Sequence, residues 1–193
     1  MNSVDERLRR RNRSLLVLIV AMFFVPMIIA GIMRFTDRHP AATRQKGELL
    51  SPPGDLRAVA PALLGGGAYA WNPVQRQWRI LVAAPAVCDD DCRRVARDVG
   101  TVWQLLNKDA DRVDVLWLCR AADCAWPAGI ARPDSLRLLA PDAAIAGRLP
   151  KMDAGGGVPV YVVDPNGFVI LRYAPRSDLA GVRSDLARLL KLR

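Results

Sequence analysis

The segment AVCDDDCRR, residues 86–94, sets Cys88 and Cys92 four positions apart with only aspartates between them. The spacing admits three readings: a redox pair, a metal clip, or an acidic helix start that happens to carry thiols. At a helix N-terminus the backbone N–H groups and the macrodipole favour thiolate, with Cys88 as the exposed attacking sulfur. Asp89, Asp90 and Asp91 oppose this, because three carboxylates disfavour a further negative charge nearby. At least one of them is expected to be the N-cap. The remaining cysteines are Cys119 and Cys124. Four cysteines allow three pairings, and the spacing favours 88–92 with 119–124. For the second pair a structural bridge is the plainest reading, beside a second redox couple or extra thiolates near the first.

The elements that must position these thiols follow from hydrophobic period. QWRILVAAP, residues 77–85, is an apolar run suited to a buried central strand, and the cysteine motif follows it directly. From Cys92 the residues Val95, Val99, Val102, Trp103 and Leu106 form one helical stripe that ends near Asn107. RVDVLWLC, residues 112–119, reads as a parallel neighbour of the first strand, which makes a βαβ unit. Its end then lies on the same rim of the sheet as Cys88. AYAW, residues 68–71, is expected to be a short strand, and one or two short helices are expected around residues 135–148. VPVYVVDPNGFVILRY, residues 158–173, reads as a hairpin about the turn DPNG, and Leu179, Val182, Leu186, Leu189 and Leu190 mark a last helix.

The chain has 193 residues and is about half apolar, enough for one domain with a real core. Its net charge of +9 is concentrated near the N-terminus: residues 1–46 hold nine Lys/Arg against three Asp/Glu. A nucleic-acid partner is therefore not expected, since a balance of only +3 is left to spread over a folded face. Ser14 to Met33 carries no charge over a length that spans a bilayer, and Pro26 is tolerated in such a helix. A cleaved signal peptide and a buried soluble helix are the competing readings. Five arginines between Arg7 and Arg13 place the N-terminus in the cytoplasm by the positive-inside rule. The rest then lies outside, in a bacterium the periplasm, where disulfides persist. Residues 34–63, polar and proline-bearing, are expected to be a tether. No nucleophile elbow or phosphate-binding loop is present, and the one histidine, His39, falls in that tether.

Three stretches carry a resemblance: CDDDC after its strand, LNKDADRVDVLWL running from helix into strand, and VYVVDPNGFVILRY. Together they resemble the thioredoxin fold, and within it the membrane-anchored SCO-like proteins linked to cytochrome c oxidase assembly. The resemblance implies an α/β thioredoxin-like domain, a central mixed sheet flanked by helices, over residues 64–193. That domain stands behind a basic tail (1–13), a transmembrane anchor (14–33) in the bacterial inner membrane and a periplasmic tether (34–63). It also implies Cu(I) as cargo, held by Cys88, Cys92 and a distant histidine, and oxidase subunits or assembly factors as partners. Cys88 and Cys92 carry over directly; the histidine does not, because its place is taken by Gly155 to Gly157. Cys119, Cys124 and Met152 are then the candidate third ligands, since Cu(I) accepts soft sulfur. Pro159 in GVPVYVV is similar to the cis-proline that faces the cysteines in thioredoxin-like proteins; an ordinary proline opening an edge strand is the alternative. Thiol-disulfide exchange or copper handling in support of oxidase assembly is the expected function. A non-catalytic assembly scaffold that keeps the fold is the alternative.

Overall fold

The computed structural model describes residues 2–35 and 45–191, in two compact units that meet in sequence at Arg44 and Gln45. His39 lies outside the described residues. The first unit is the helix α1 (Asn2–Phe35), which continues through Pro26. Within it Asn12–Ile32 is long and apolar enough to cross a membrane, and none of that stretch is buried against protein. The large side chains from Leu15 to Ile32 are exposed, as a lipid-facing helix requires.

The second unit holds a six-stranded sheet in the order β1-β6-β5-β2-β3-β4. Its strands are β1 (Glu48–Asp55), β2 (Trp78–Ala83), β3 (Val113–Leu118), β4 (Leu136–Leu139), β5 (Val160–Val163) and β6 (Phe168–Tyr173). The helices are α2 (Asp90–Gln104), α3 (Ala143–Ala146) and α4 (Ala180–Leu189). Strands β2, β3 and β4 are parallel, whereas β5 runs antiparallel to β2, β6 to β5, and β1 to β6. The fold class expected from the sequence is therefore present.

Alternation along the strands divides the core. On one face Ile80, Val82, Val115, Trp117 and Val162 pack under Val95 and Val99 of α2 and Val182 and Leu186 of α4. On the other, Leu81, Leu116, Tyr161 and Val169 pack under Ile145 of α3 and under Leu56, Tyr69 and Trp71 from the segment before β2. Arg79, which is 1% exposed, clips that segment down: its Nε donates to Tyr69 Oη, which in turn donates to Asp114.

Two expectations are corrected here. Residues 48–55, placed in a tether, form an edge strand on β6, so the folded unit begins at Gln45 and not at residue 64. An edge can carry Pro52 and Pro53 because their missing N–H groups are not needed by a neighbour, and the pairing is interrupted between Leu49 and Gly54. AYAW makes no strand: Ala68 forms an isolated bridge with Ala62, and Tyr69 and Trp71 serve as plugs for the core. Within residues 135–148 one short helix is present, Ala143–Ala146, as expected, while residues 136–139 are a strand because β3 offers them a free parallel edge.

Candidate functional site

Cys88 and Cys92 are joined as a disulfide, with Cα atoms 5.2 Å apart, where the chain turns from β2 into α2. Asp89 is extended and caps the helix: its Oδ1 accepts from the Cys92 N–H at 2.9 Å. Asp90 and Asp91 occupy the first turn, where the helix dipole favours negative charge. The predicted cap is thus resolved to one aspartate. Cys92 is fully buried in the α2 side of the core, while Cys88 is half-buried behind the exposed Val87. One sulfur is open to attack and the other is shielded.

Asp91 is held by Arg94, whose guanidinium donates to Oδ1 at 2.7 Å. Its Oδ2 is buried and makes no hydrogen bond among the described residues. That oxygen faces Gly157: a β-carbon built there would lie 2.8 Å from Asp91 Oδ2 and 2.8 Å from Pro175 Cβ. The segment leading into the glycine run is held by the buried Arg172, which donates to the carbonyls of Lys151 and Ala154 and pairs with Glu48 of β1 at 3.3 Å. Pro159 is buried at the mouth of β5, where its carbonyl accepts from Ala83 N–H at 3.3 Å. The cis peptide among the described residues is Ser51–Pro52, so the bond before Pro159 is trans and the expectation of a cis-proline there is corrected. A trans bond suits its place as the residue that leads β5 into register against β2.

Cys119 and Cys124 form the second disulfide, with Cα atoms 5.7 Å apart, immediately beyond β3. Both expected pairings are present. Cys119 is buried on the same core face as Cys92. Met152 packs towards the opposite face, so of the candidate third sulfurs it is the one kept apart from the first pair. Among the described residues no cluster of three His, Cys, Asp or Glu side chains is arranged to hold a metal. Reduced, Cys88 and Cys92 would offer Cu(I) two thiolates, while the place expected of the histidine holds Gly157, which has no side chain to donate. With both disulfides closed, no third copper ligand is grouped with that pair among the described residues.

Sequence reasoning missed Asp185, which is 2% exposed. Its Oδ2 accepts from the backbone N–H groups of Lys46 and Gly47 and from Tyr173 Oη at 2.7 Å, tying the start of the unit to β6 and α4. Burial, and then the neighbouring carboxylate, push the Tyr173 phenol far above its ordinary pKa. The available signal was a carboxylate standing on the apolar stripe of the last helix, between Val182 and Leu186.

Residues 78–193 match the family model of the transmembrane-like, thioredoxin-like C-terminal domain, and residues 6–37 match that of the transmembrane-like N-terminal domain. No curated protein matches in sequence. Among solved structures, BsSco, a member of the Sco family of cytochrome c oxidase assembly proteins with a disulfide switch, is similar at 11% identity. The match covers 76% of this chain and 98% of that one, with a TM-score of 0.53. Yeast Sco1 with copper bound is similar at 14% identity, over 79% and 96% of the two chains, with a TM-score of 0.53. Apo Sco1 from Thermus thermophilus is similar at 19% identity, over 77% and 99%, with a TM-score of 0.52. At these identities the likeness is one of fold.

Proposed function

Because the chain belongs to the transmembrane-like, thioredoxin-like family, we propose that it is a membrane-tethered thiol–disulfide exchange protein that supports cytochrome c oxidase assembly. One observation carries the reading: a half-exposed sulfur, Cys88, is bonded to a buried one, Cys92, at the first turn of a helix on the rim of the sheet. In the reduced protein Cys88 Sγ attacks one sulfur of a target disulfide, whose other sulfur leaves as thiolate. Cys92 Sγ then attacks Cys88 Sγ and releases the target as a dithiol, so the Cys88–Cys92 bond reforms and two electrons pass to the target. A protein dithiol recharges the pair. Pro159 acts as a positioning residue, holding β5 at the end of β2.

The oxidase connection draws on the fold shared with BsSco, a member of a family of cytochrome c oxidase assembly proteins, and with copper-bound yeast Sco1. In this reading α1 anchors the chain in the bacterial inner membrane, its arginine-rich start faces the cytoplasm, and the folded unit lies in the periplasm, where both disulfides persist. Partners are oxidase subunits or assembly factors. Cu(I) handling at the same two sulfurs is the second reading, favoured by the copper-bound neighbour and opposed by the lack of a grouped third ligand among the described residues. Reduced full-length protein is expected to lose Cu(I) to a competing chelator; stoichiometric retention that disappears in Cys88→Ser/Cys92→Ser would reverse the order of the two readings.

The exchange reading is tested by trapping. In native membranes Cys92→Ser is expected to accumulate mixed disulfides between Cys88 and other polypeptides, cleaved by reductant, while Cys88→Ser accumulates none. Absence of adducts in both folded variants would overturn it.

A further inference from the structure

The two disulfides end neighbouring strands on one face of the sheet. Ala83 of β2 stands opposite Leu118 of β3, and Ala84 N–H donates to Leu118 O at 3.0 Å, so both strands deliver their cysteines to the same rim. Parallel neighbours lie about 4.8 Å apart, which sets Cys119 beside the start of the turn that holds Cys88. Cys92 and Cys119 are buried in one cluster with Ala84 and Trp117, and Cys88 and Cys124 are both half-buried against it. The loop after Cys124 runs along α2: Arg93, next to Cys92, donates to Ala128 O at 3.2 Å, and Trp126 packs edge-on against Trp117 with centroids 4.9 Å apart. Each pair therefore presents one shielded and one accessible sulfur to the same corner. The loop closed by Cys119 and Cys124 is short, and a bridge across a short loop removes little entropy from the unfolded chain.

We propose that Cys119–Cys124 is a second redox couple that exchanges with Cys88–Cys92, relaying electrons to the exposed pair; this rests on the exchange function proposed for Cys88. A protein dithiol reduces Cys119–Cys124 and is itself oxidised to a disulfide. Cys124 thiolate then attacks Cys88 Sγ, the Cys88–Cys92 bond breaks, and Cys92 leaves as thiolate. Cys119 thiolate attacks Cys124 Sγ in the resulting 88–124 bridge, Cys88 leaves as thiolate, and the Cys119–Cys124 bond is restored. Two electrons pass and no other oxidant or reductant is consumed.

Full-length Cys92→Ser/Cys119→Ser in detergent keeps only Cys88 and Cys124. On mild oxidation it is expected to form an intramolecular 88–124 bridge, read by peptide mapping; two free thiols in folded protein would overturn the relay. Should that variant fail to fold, stepwise reduction of the wild-type chain with dithiothreitol and differential alkylation decides. Both pairs are expected to open over the same range in folded protein. Opening of Cys88–Cys92 while Cys119–Cys124 stays closed would overturn the relay and leave the exchange function standing. If Cys88–Cys92 does not open either, both fall.

Discussion

Gly157 illustrates how tightly the cysteine corner is closed. Its hydrogen faces both the unpartnered Asp91 Oδ2 and Pro175, at distances no real β-carbon tolerates. Gly157→Ala is expected to cost about 1–3 kcal/mol, the usual penalty of overpacking, as a lowered urea midpoint. Combined with Asp91→Ala it should cost less than the two single changes together, since one of the clashing groups is gone. Asp90 acts in the opposite sense on two readouts. Exposed in the first turn, it complements the helix dipole while repelling thiolate at Cys88. Asp90→Asn should destabilise by about 0.3–1 kcal/mol in denaturant yet speed mixed-disulfide formation at neutral pH by about 2–5-fold, the size of one surface charge interaction. The cysteine pairing and the acidic cap were legible because spacing and helix-start chemistry are local. The trans bond at Pro159 and the clash space at Gly157 were not, because they depend on how β5 and residues 174–177 close over α2.

At the level of elements, β2, α2, β3 and the β5–β6 hairpin were readable from period and turn residues, since each buries a regular face. The edge strands were not. Strand β1 carries two prolines and pairs on one side only, and the short β4 borrows its conformation from β3. Both are selected by a partner and not by propensity. The joint between β1, β6 and α4 is a carboxylate, Asp185, capped by Tyr173. Burial and Asp185 raise the Tyr173 pKa above its unfolded value near 10. A raised group lends stability that is complete below the unfolded pKa and is lost as pH rises past it. Tyr173→Phe should therefore cost about 1–3 kcal/mol at pH 8, where a buried carboxylate loses a donor. Above pH 10 its stability should fall less steeply than that of the wild type. A residual slope is expected from Tyr69 and Tyr161, also raised by burial. Urea midpoints at pH 8 and pH 10.5 check both signs.

For the whole molecule, an apolar helix precedes a folded unit that starts at Gln45, and the proposed function makes the accessible sulfur of that unit its reactive end. The anchor was legible because about 20 uncharged residues have few other uses; the domain boundary was misplaced because the first strand of the unit lacks a strand-like composition. What distinguishes exchange from scaffolding is whether Cys88–Cys92 opens reversibly while the fold persists. The most direct measurement is the reduction equilibrium of that pair in the full-length protein, set by thiol–disulfide buffers and read by alkylation. Exchange predicts a reversible two-electron transition above about −300 mV, the region of catalytic couples. A pair that stays closed below that potential, or opens only as the protein unfolds, would contradict it.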